Sequence, residues 1–222
     1  MDAKRIAAER AVDYIQDGMI VGLGTGSTAY WAIQKLGLKV QGGLQIKAIA
    51  TSVQSEELAR NLGIPLVSFA EMNEIDMTID GADEVDQELN LIKGGGGALL
   101  REKIVAAASK QFIVIVDESK LVKRLGTFPL PVEIVPFGHE VTIKKLYDLG
   151  YEPRLRKIDN ETFVTDNGNY IVDGHFGDIE APQELHNKLN LIPGVVDNGL
   201  FVNMTRRVVV GYQDGEISEL EK

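Results

Sequence analysis

The segment 80–103 holds most of the residues whose types and spacing could do chemistry. In order, it contains Asp80, Asp83, Glu84, Lys93, four consecutive glycines and Glu102. Four glycines in a row cost backbone entropy on folding, so they indicate a loop whose backbone approaches a ligand closely. Acids before that loop, a lysine at its start and a glutamate on the following helix could together move protons on one bound molecule. The segment therefore predicts an active site.

The same residues also have ordinary structural explanations. A glycine run can be a flexible linker, but apolar residues flank this one at 77–79 and 98–100, whereas linkers are polar on both sides. The acids could form a solvated turn, Glu102 could simply suit the first turn of a helix, and Lys93 could lie on the surface. Each explanation is reasonable alone, but their coincidence within one strand-loop-helix unit favours the active site.

A second glycine loop, 22–28, follows a predicted strand and opens a predicted helix. Its backbone N–H groups, its hydroxyls and the positive helix end suit a phosphate. A dinucleotide fingerprint would need glycine at Ser27 and an acid within 44–51, and neither is present. No Gly-Lys-Ser/Thr follows the loop, which excludes a nucleotide P-loop. A single phosphate fits best, and a tight turn with Ser27 or Thr28 as helix N-cap stays open as the alternative.

Composition limits the class of protein. The 222 residues include no cysteine, which excludes disulfides, thiolate zinc sites and cysteine nucleophiles. The histidines His139, His175 and His186 show no metal-ligand spacing, which argues against a histidine-based metal site. A net charge of −10 argues against nucleic acid or anionic membranes as partners. Without a long apolar run or an N-terminal signal pattern, we expect a cytoplasmic protein.

Apolar periodicity in the first half predicts alternating strands and helices. Asp2 can cap a first helix that ends near Gly18. The strands that follow are predicted at 19–21, 46–50, 66–69, 77–80 and 112–116, and the helices at 29–36, 52–62 and 99–108. This alternation indicates an α/β fold with a mainly parallel, Rossmann-like sheet and helices on both faces.

After 129–131 the pattern changes. Strands are predicted at 132–135, 153–158 and 195–202, helices at 140–149 and 183–189, and a turn at 166–169. That order resembles a ferredoxin-like α+β unit, and a last hairpin, 207–218, could return to the first sheet. We therefore expect a Rossmann-like catalytic domain at 1–128 and 204–222, with a smaller ferredoxin-like domain inserted at 129–203.

Several motifs together resemble the A type of ribose-5-phosphate isomerases. They extend over nearly the whole chain and form a highly specific set. The motifs are Gly24–Thr28, Asp80–Glu84, Lys93–Gly96, Arg101–Lys103, Asp117-x-Ser119-Lys120, Phe128–Glu133 and Thr165–Asn169.

The resemblance implies an isomerase of the non-oxidative pentose phosphate pathway that acts on a sugar phosphate without a cofactor, as a homodimer or else a tetramer. It implies Glu102 as the proton acceptor, and we expect Asp80, Asp83 and Lys93 to complete the catalytic set. The substrate contacts that it implies are Thr25, Gly26, Ser27, Thr28, Asp80, Gly81, Ala82, Asp83, Lys93, Gly94, Gly95, Gly96, Lys120 and, from the N-terminal segment, Lys4.

The residue types agree with this chemistry on their own. Aldose–ketose interconversion moves a proton between neighbouring carbons through a cis-enediolate, and one carboxylate can make both transfers. Near a helix start, Glu102 should stay ionised, as a base must. Lys93 and loop N–H groups could stabilise the enediolate oxygen, while Asp80 and Asp83 could handle hydroxyl protons. The alternatives are a sugar-phosphate deaminase or coenzyme A transferase of similar fold, and a non-enzymatic sensor, which would not need Glu102.

Overall fold

A computed structural model describes residues 2–222 of the chain. Its α-helices are, in chain order, α1 (Ala3–Val12), α2 (Ser27–Gln41), α3 (Val53–Asn61), α4 (Leu99–Ala107), α5 (His139–Asp148) and α6 (Pro182–Asn190). Short 3₁₀ turns lie at Phe69–Glu71 and Glu118–Lys120.

The β-strands fall into two groups along the chain. The first strands are β1 (Ile20–Leu23), β2 (Lys47–Ala50), β3 (Ile75–Gly81), β4 (Glu84–Val85), β5 (Leu91–Ile92) and β6 (Ser109–Asp117). The remaining strands are β7 (Leu130–Ile134), β8 (Arg154–Leu155), β9 (Lys157–Ile158), β10 (Glu161–Thr162), β11 (Tyr170–Gly174), β12 (Val195–Asn198), β13 (Leu200–Phe201), β14 (Arg207–Gly211) and β15 (Ile217–Glu221).

A six-stranded sheet in the order β15-β14-β6-β3-β1-β2 forms the first part of the fold. All neighbours pair in parallel except β14 and β15, which form the predicted terminal hairpin. Alternate residues of β1 point to opposite faces: Val21 packs in the core shared with α1 and α2. Gly22 faces α4, since a β-carbon there would lie 2.7 Å from Val105 Cγ1. Helices thus cover both faces, and the predicted Rossmann-like α/β class is confirmed.

A four-stranded antiparallel sheet, β12-β7-β11-β8, forms the second part. Its core joins Val132 of β7 and Val172 of β11 to Leu146 of α5 and Leu189 of α6. With two helices between the strands in the order β7-α5-β8, β11-α6-β12, this part is the predicted ferredoxin-like arrangement. A small sheet, β13-β5-β4, accompanies it.

The chain divides into two compact units. The parallel-sheet unit comprises Met1–Ala82, Arg101–Leu121 and Met204–Lys222, and the antiparallel unit comprises Asp83–Leu100 and Val122–Asn203. The domain boundaries expected from the sequence stay a proposal; the compact units differ from them by placing 83–100 and 122–128 with the antiparallel unit.

Three predicted elements are wrong in detail. The single strand expected at 195–202 is divided into β12 and β13, which belong to different sheets. The strand expected at 66–69 is reduced to one bridge between Leu66 and Ala48, because Ser68 and Glu71 form a capping box that starts a 3₁₀ turn. The first helix begins after Asp2, which caps it as predicted, but it ends at Val12 instead of near Gly18. Asp13 is the C-cap residue of this helix.

Candidate active site

The loop between β1 and α2 ends in a helix start that has no side-chain cap among residues 2–222. Gly26 is the N-cap residue, with a φ of 98°. The alternative in which Ser27 or Thr28 caps the helix is wrong, because both residues already belong to α2. Uncapped N–H groups at the positive end of a 15-residue helix favour an anion at this position.

Lys4 lies beside this loop. Its Nζ donates a hydrogen bond of 3.1 Å to Ser27 Oγ. Lys4 stands in the first turn of α1, whose N-cap is Asp2. The first helix thus brings a cation to the uncapped start of α2, which adds to the attraction for an anion.

Asp80, near the carboxyl end of β3, is fully buried. Its Oδ1 accepts hydrogen bonds from Thr25 N at 3.0 Å and from Gly81 N at 2.7 Å. A β-carbon on Gly81 would lie 3.8 Å from Thr28 Cβ, so the predicted loop 25–28 and the end of β3 are neighbours. The loop 25–28 and Asp80 therefore lie at the carboxyl edge of the parallel sheet, where α/β proteins bind ligands.

The Thr25 hydroxyl joins a cluster that the sequence analysis missed. Thr25 Oγ1 lies 2.7 Å from Thr51 Oγ1 and donates to Ser52 Oγ at 2.8 Å. Ser55 Oγ donates to Gly24 O at 2.6 Å. Thr51 and Ser52 follow β2 at the same sheet edge, which is the signal that could have revealed them. The Thr25 side chain therefore holds the loop in place, while Gly26 and Ser27 are its more exposed part.

Glu102, the predicted base, lies in the first turn of α4 and is 5% exposed. Val105, one turn further along α4, packs with Ile49 and Ile75 and fixes the helix on the sheet. A buried carboxylate on an anchored helix has few accessible rotamers, which suits a group that must reach two adjacent carbons.

Lys120 ends the 3₁₀ turn after β6. Asp117 caps that turn by accepting a hydrogen bond from Ser119 N at 3.0 Å. Within residues 2–222, the Lys120 side chain makes no hydrogen bond or ion pair with the other predicted site residues. Its predicted contact with substrate stays a prediction.

The antiparallel unit carries Lys93 and the four-glycine loop. Lys93 is 2% exposed, so it is not the surface lysine of the ordinary explanation. Its Nζ lies 5.5 Å from the centroid of the Phe201 ring, within range of a cation–π interaction. Its backbone N donates to Gly199 O at 2.9 Å. The ammonium group is thus held in a shielded environment.

Asp83 holds the loop that follows Lys93. Asp83 Oδ2 accepts a hydrogen bond of 2.8 Å from Gly95 N, and Asp83 N donates to Ile92 O at 2.8 Å. A β-carbon on Gly95 would lie 2.7 Å from Asp83 Oδ1. Glycine is therefore required at this close approach, which ties the Asp83 carboxylate to the glycine loop.

Glu84 has a different task from its acidic neighbours. It is 3% exposed and accepts hydrogen bonds from Gly126 N at 2.7 Å and Phe128 N at 2.6 Å. Both oxygens of Glu84 thus hold the segment before β7, and the residue serves the structure of the antiparallel unit.

Arg156 and Asp173 were not predicted, yet Arg156 contacts the glycine loop and Asp173 binds Arg156. Arg156 Nη1 donates to Gly94 O at 2.9 Å, and Arg156 Nε donates to Asp173 Oδ2 at 2.7 Å. No local motif marks either residue, because the contact spans 62 positions of sequence.

Within residues 2–222, no group of three or more His, Asp or Glu side chains has the arrangement of a metal site. Nor does any helix in this part of the chain have the length and apolar character needed to cross a membrane.

Comparison with known proteins identifies close relatives. The family described as ribose 5-phosphate isomerase A (phosphoriboisomerase A) matches residues 47–215. The ribose-5-phosphate isomerase A of Bacillus thuringiensis subsp. konkukian is 58% identical over 221 residues, 99% of this chain and 100% of the relative.

Solved structures of ribose-5-phosphate isomerases also match nearly the whole chain. The ribose 5-phosphate isomerase of Plasmodium falciparum is 44% identical with a TM-score of 0.95, and the match covers 99% of this chain and 97% of that one. A D-ribose-5-phosphate isomerase in complex with phospho-erythronic acid is 41% identical with a TM-score of 0.95, over 100% of both chains.

Proposed function

This chain belongs to the ribose 5-phosphate isomerase A family, and on that premise we propose that it interconverts D-ribose 5-phosphate and D-ribulose 5-phosphate. The observation that carries the proposal is a buried carboxylate, Glu102, in the first turn of an anchored helix. The motifs that resemble the family include this glutamate, and the relatives that match nearly the whole chain are named as isomerases.

Glu102 acts as the base. It takes the proton from carbon 2 of the open-chain aldose, which leaves a cis-enediolate, and returns that proton to carbon 1 to give the ketose. Glu102 gains a proton in the first step and delivers a proton in the second, and between the two steps its proton can exchange with water, so the base is regenerated and no group is consumed. A single carboxylate suffices because the two carbons are adjacent.

Lys93 and the glycine loop stabilise the charge that develops on the enediolate oxygens. A buried ammonium acts more strongly on an adjacent anion than an exposed one does, since water does not screen it. Asp80 and Asp83 handle the hydroxyl protons during ring opening and isomerisation. Their oxygens are held by backbone N–H groups of Thr25, Gly81 and Gly95, so each carboxylate has a fixed direction.

The substrate phosphate binds at the start of α2. The uncapped N–H groups of that helix, the Ser27 hydroxyl and the Lys4 ammonium supply donors and positive charge in one place. A relative binds phospho-erythronic acid, which carries a phosphate and a carboxylate. We expect the same compound to compete with ribose 5-phosphate here.

The pathway, the compartment and the assembly follow the family resemblance. We place the reaction in the non-oxidative pentose phosphate pathway, in the cytoplasm, in a homodimer or else a tetramer. No metal or organic cofactor takes part in the proposed chemistry, because proton transfer by a carboxylate needs none.

Incubation of the purified chain with ribose 5-phosphate tests the proposal directly. Formation of ribulose 5-phosphate, followed by NMR in both directions, is expected. Free ribose should react slower by orders of magnitude, because the phosphate supplies binding energy that positions the reacting carbons. Absence of ketose formation by folded protein would contradict the proposal, since the competing deaminase, transferase and sensor functions do not include this reaction.

A further inference from the structure

We propose that Arg156, oriented by Asp173, is a positioning residue for the isomerase reaction: it holds the glycine loop 94–97 in the conformation that presents its N–H groups to the substrate. The inference rests on the proposed function. Arg156 and Asp173 lie outside the motifs that resemble the isomerase family.

Arg156 makes two sets of contacts within the antiparallel unit. On one side, Nε and Nη2 bind the two carboxylate oxygens of Asp173 on β11, a bidentate pair. On the other side, Nη1 donates to Gly94 O at 2.9 Å and to Gly95 O at 3.1 Å. The Arg156 side chain is itself 13% exposed. A planar guanidinium fixed by a bidentate partner has a defined direction for its remaining donors.

One peptide group connects Arg156 to a predicted catalytic residue. In a trans peptide, the carbonyl of one residue and the N–H of the next point in opposite directions. Arg156 donates a hydrogen bond to the carbonyl of the Gly94–Gly95 peptide, and Asp83 Oδ2 accepts one of 2.8 Å from the N–H of the same peptide. The peptide is therefore held at both ends, and Arg156 also fixes the position of the Asp83 carboxylate.

The next peptide, Gly95–Gly96, is held only at its carbonyl oxygen. Arg156 binds Gly95 O, so the N–H of Gly96 points away from the guanidinium. Gly96 is exposed, and its N–H has no acceptor among residues 2–222. A fixed donor without a protein acceptor, in the loop that the proposed mechanism assigns to the enediolate, is what an oxyanion requires.

The loop needs such a constraint because glycines restrict the backbone least. Gly94 and Gly97 have φ values of 107° and 83°, which glycine adopts without strain. Gly97 also packs against the Phe163 ring, since a β-carbon there would lie 2.4 Å from Phe163 Cζ. Arg156 and Phe163 thus compensate for a sequence that would otherwise leave the donors mobile.

Arg156→Lys tests the inference, because lysine keeps the charge but cannot bind Asp173 and two carbonyls at once. We expect kcat to fall on the order of 10²-fold, as for a small misplacement of a catalytic group, with KM for ribose 5-phosphate changed much less. Exchange of the Gly97 amide, which donates to Gly94 O at 3.0 Å, should accelerate. Arg124→Lys makes the same change in an exposed pair with Glu180. This control should alter neither kcat nor the exchange rate of the Gly97 amide.

Asp173→Asn supplies a second, independent variant. It should lower kcat in the same way, and adding it to Arg156→Lys should cost little more, because both residues act through one contact. A folded Arg156→Lys variant with parental kcat, or with parental exchange at Gly97, would overturn the inference. If the parent itself does not isomerise ribose 5-phosphate, the proposed function fails and the catalytic part of the inference with it, while amide exchange still decides whether Arg156 holds the loop.

Discussion

A β-carbon on Gly24 would lie 2.1 Å from Asp80 Oδ1 and 2.6 Å from Asp80 Cα. The absence of a side chain at Gly24 thus gives the buried carboxylate its place, from which it accepts the N–H groups of Thr25 and Gly81. The first glycine loop therefore has two tasks: it approaches Asp80 at one end, and its other end starts α2.

Gly24→Ala should disable the enzyme by displacing Asp80. Because a displacement on the order of 1 Å can cost about 10²-fold, we expect at least that loss in kcat/KM. Gly43→Ala is the control: Gly43 has a φ of 107° and no neighbouring heavy atom within 4 Å of a β-carbon. It should cost roughly 1–2 kcal/mol of stability without changing kcat. Parental kcat in a folded Gly24→Ala variant would remove Asp80 from the mechanism.

Changes at the start of α2 should act on phosphorylated substrates alone. Lys4→Met and Ser27→Ala each remove a donor to a charged group, worth about 1.5–3 kcal/mol, so KM for ribose 5-phosphate should rise roughly 10-fold or more. The slow reaction of free ribose should not change, and inorganic phosphate should compete weakly in the parent. Lys35→Met, which removes a cation on α2 that lies 3.8 Å from Glu9, serves as control.

A double variant sharpens the same test. If folded Ser27→Ala/Thr28→Ala binds ribose 5-phosphate as tightly as the parent, the loop is only a tight turn before a helix.

Removal of metals should leave activity intact. The sequence lacks cysteine and the spacing of histidine ligands, and the proposed proton transfer needs only a carboxylate. After exhaustive dialysis against a chelator, kcat should equal the untreated value. A loss that divalent metal restores, with no solvent deuterium in the product, would indicate a metal-assisted hydride shift instead.

Asp76 of β3 accepts a hydrogen bond from Ile20 of β1, and acid should remove its contribution to the free energy of unfolding. A hydrogen bond from Ile20 N, and then one from Lys110, lowers the pKa of the Asp76 carboxyl below its ordinary 3.8. A lowered folded-state pKa gives stability that is present above the unfolded value and is lost as pH falls through the folded one.

Urea unfolding of Asp76→Asn checks this expectation. The parent should be the more stable protein at pH 7, and the difference should shrink as the pH falls below about 3.8. A difference that stays constant down to the acid limit would show that the Asp76 charge does not matter. Asp148→Asn, at the exposed end of α5, is the control.

Local signals explain what could be predicted from the sequence. The strand-helix alternation indicated the parallel sheet, because each element buries one side at its own period. The strand expected at 66–69 failed, since the Ser68–Glu71 capping box overrode its apolar pattern. Helix ends also shifted by a few residues, because caps decide them.

The residues of the candidate site likewise differ in whether a local sequence signal marks them. Residues 80–103 are contiguous in sequence, so their types and order could be interpreted together. Arg156 and the hydroxyl of Ser55 reach the glycine loops only through tertiary pairing, and a single sequence carries no signal for that pairing. The uncapped start of α2 likewise required the backbone, since Ser27 or Thr28 would have been the ordinary choice of N-cap.

The most direct test of the account is isomerisation of ribose 5-phosphate in D₂O by the parent, Glu102→Gln and Glu102→Asp. The parent should place solvent deuterium in the product, because the carboxylate exchanges its proton with water. Glu102→Gln should keep fold and substrate affinity but lose roughly 10²–10⁴-fold in kcat, and Glu102→Asp should recover little, since its carboxylate lies further from both carbons. Near-parental turnover in folded Glu102→Gln would contradict the assignment of Glu102 as the base.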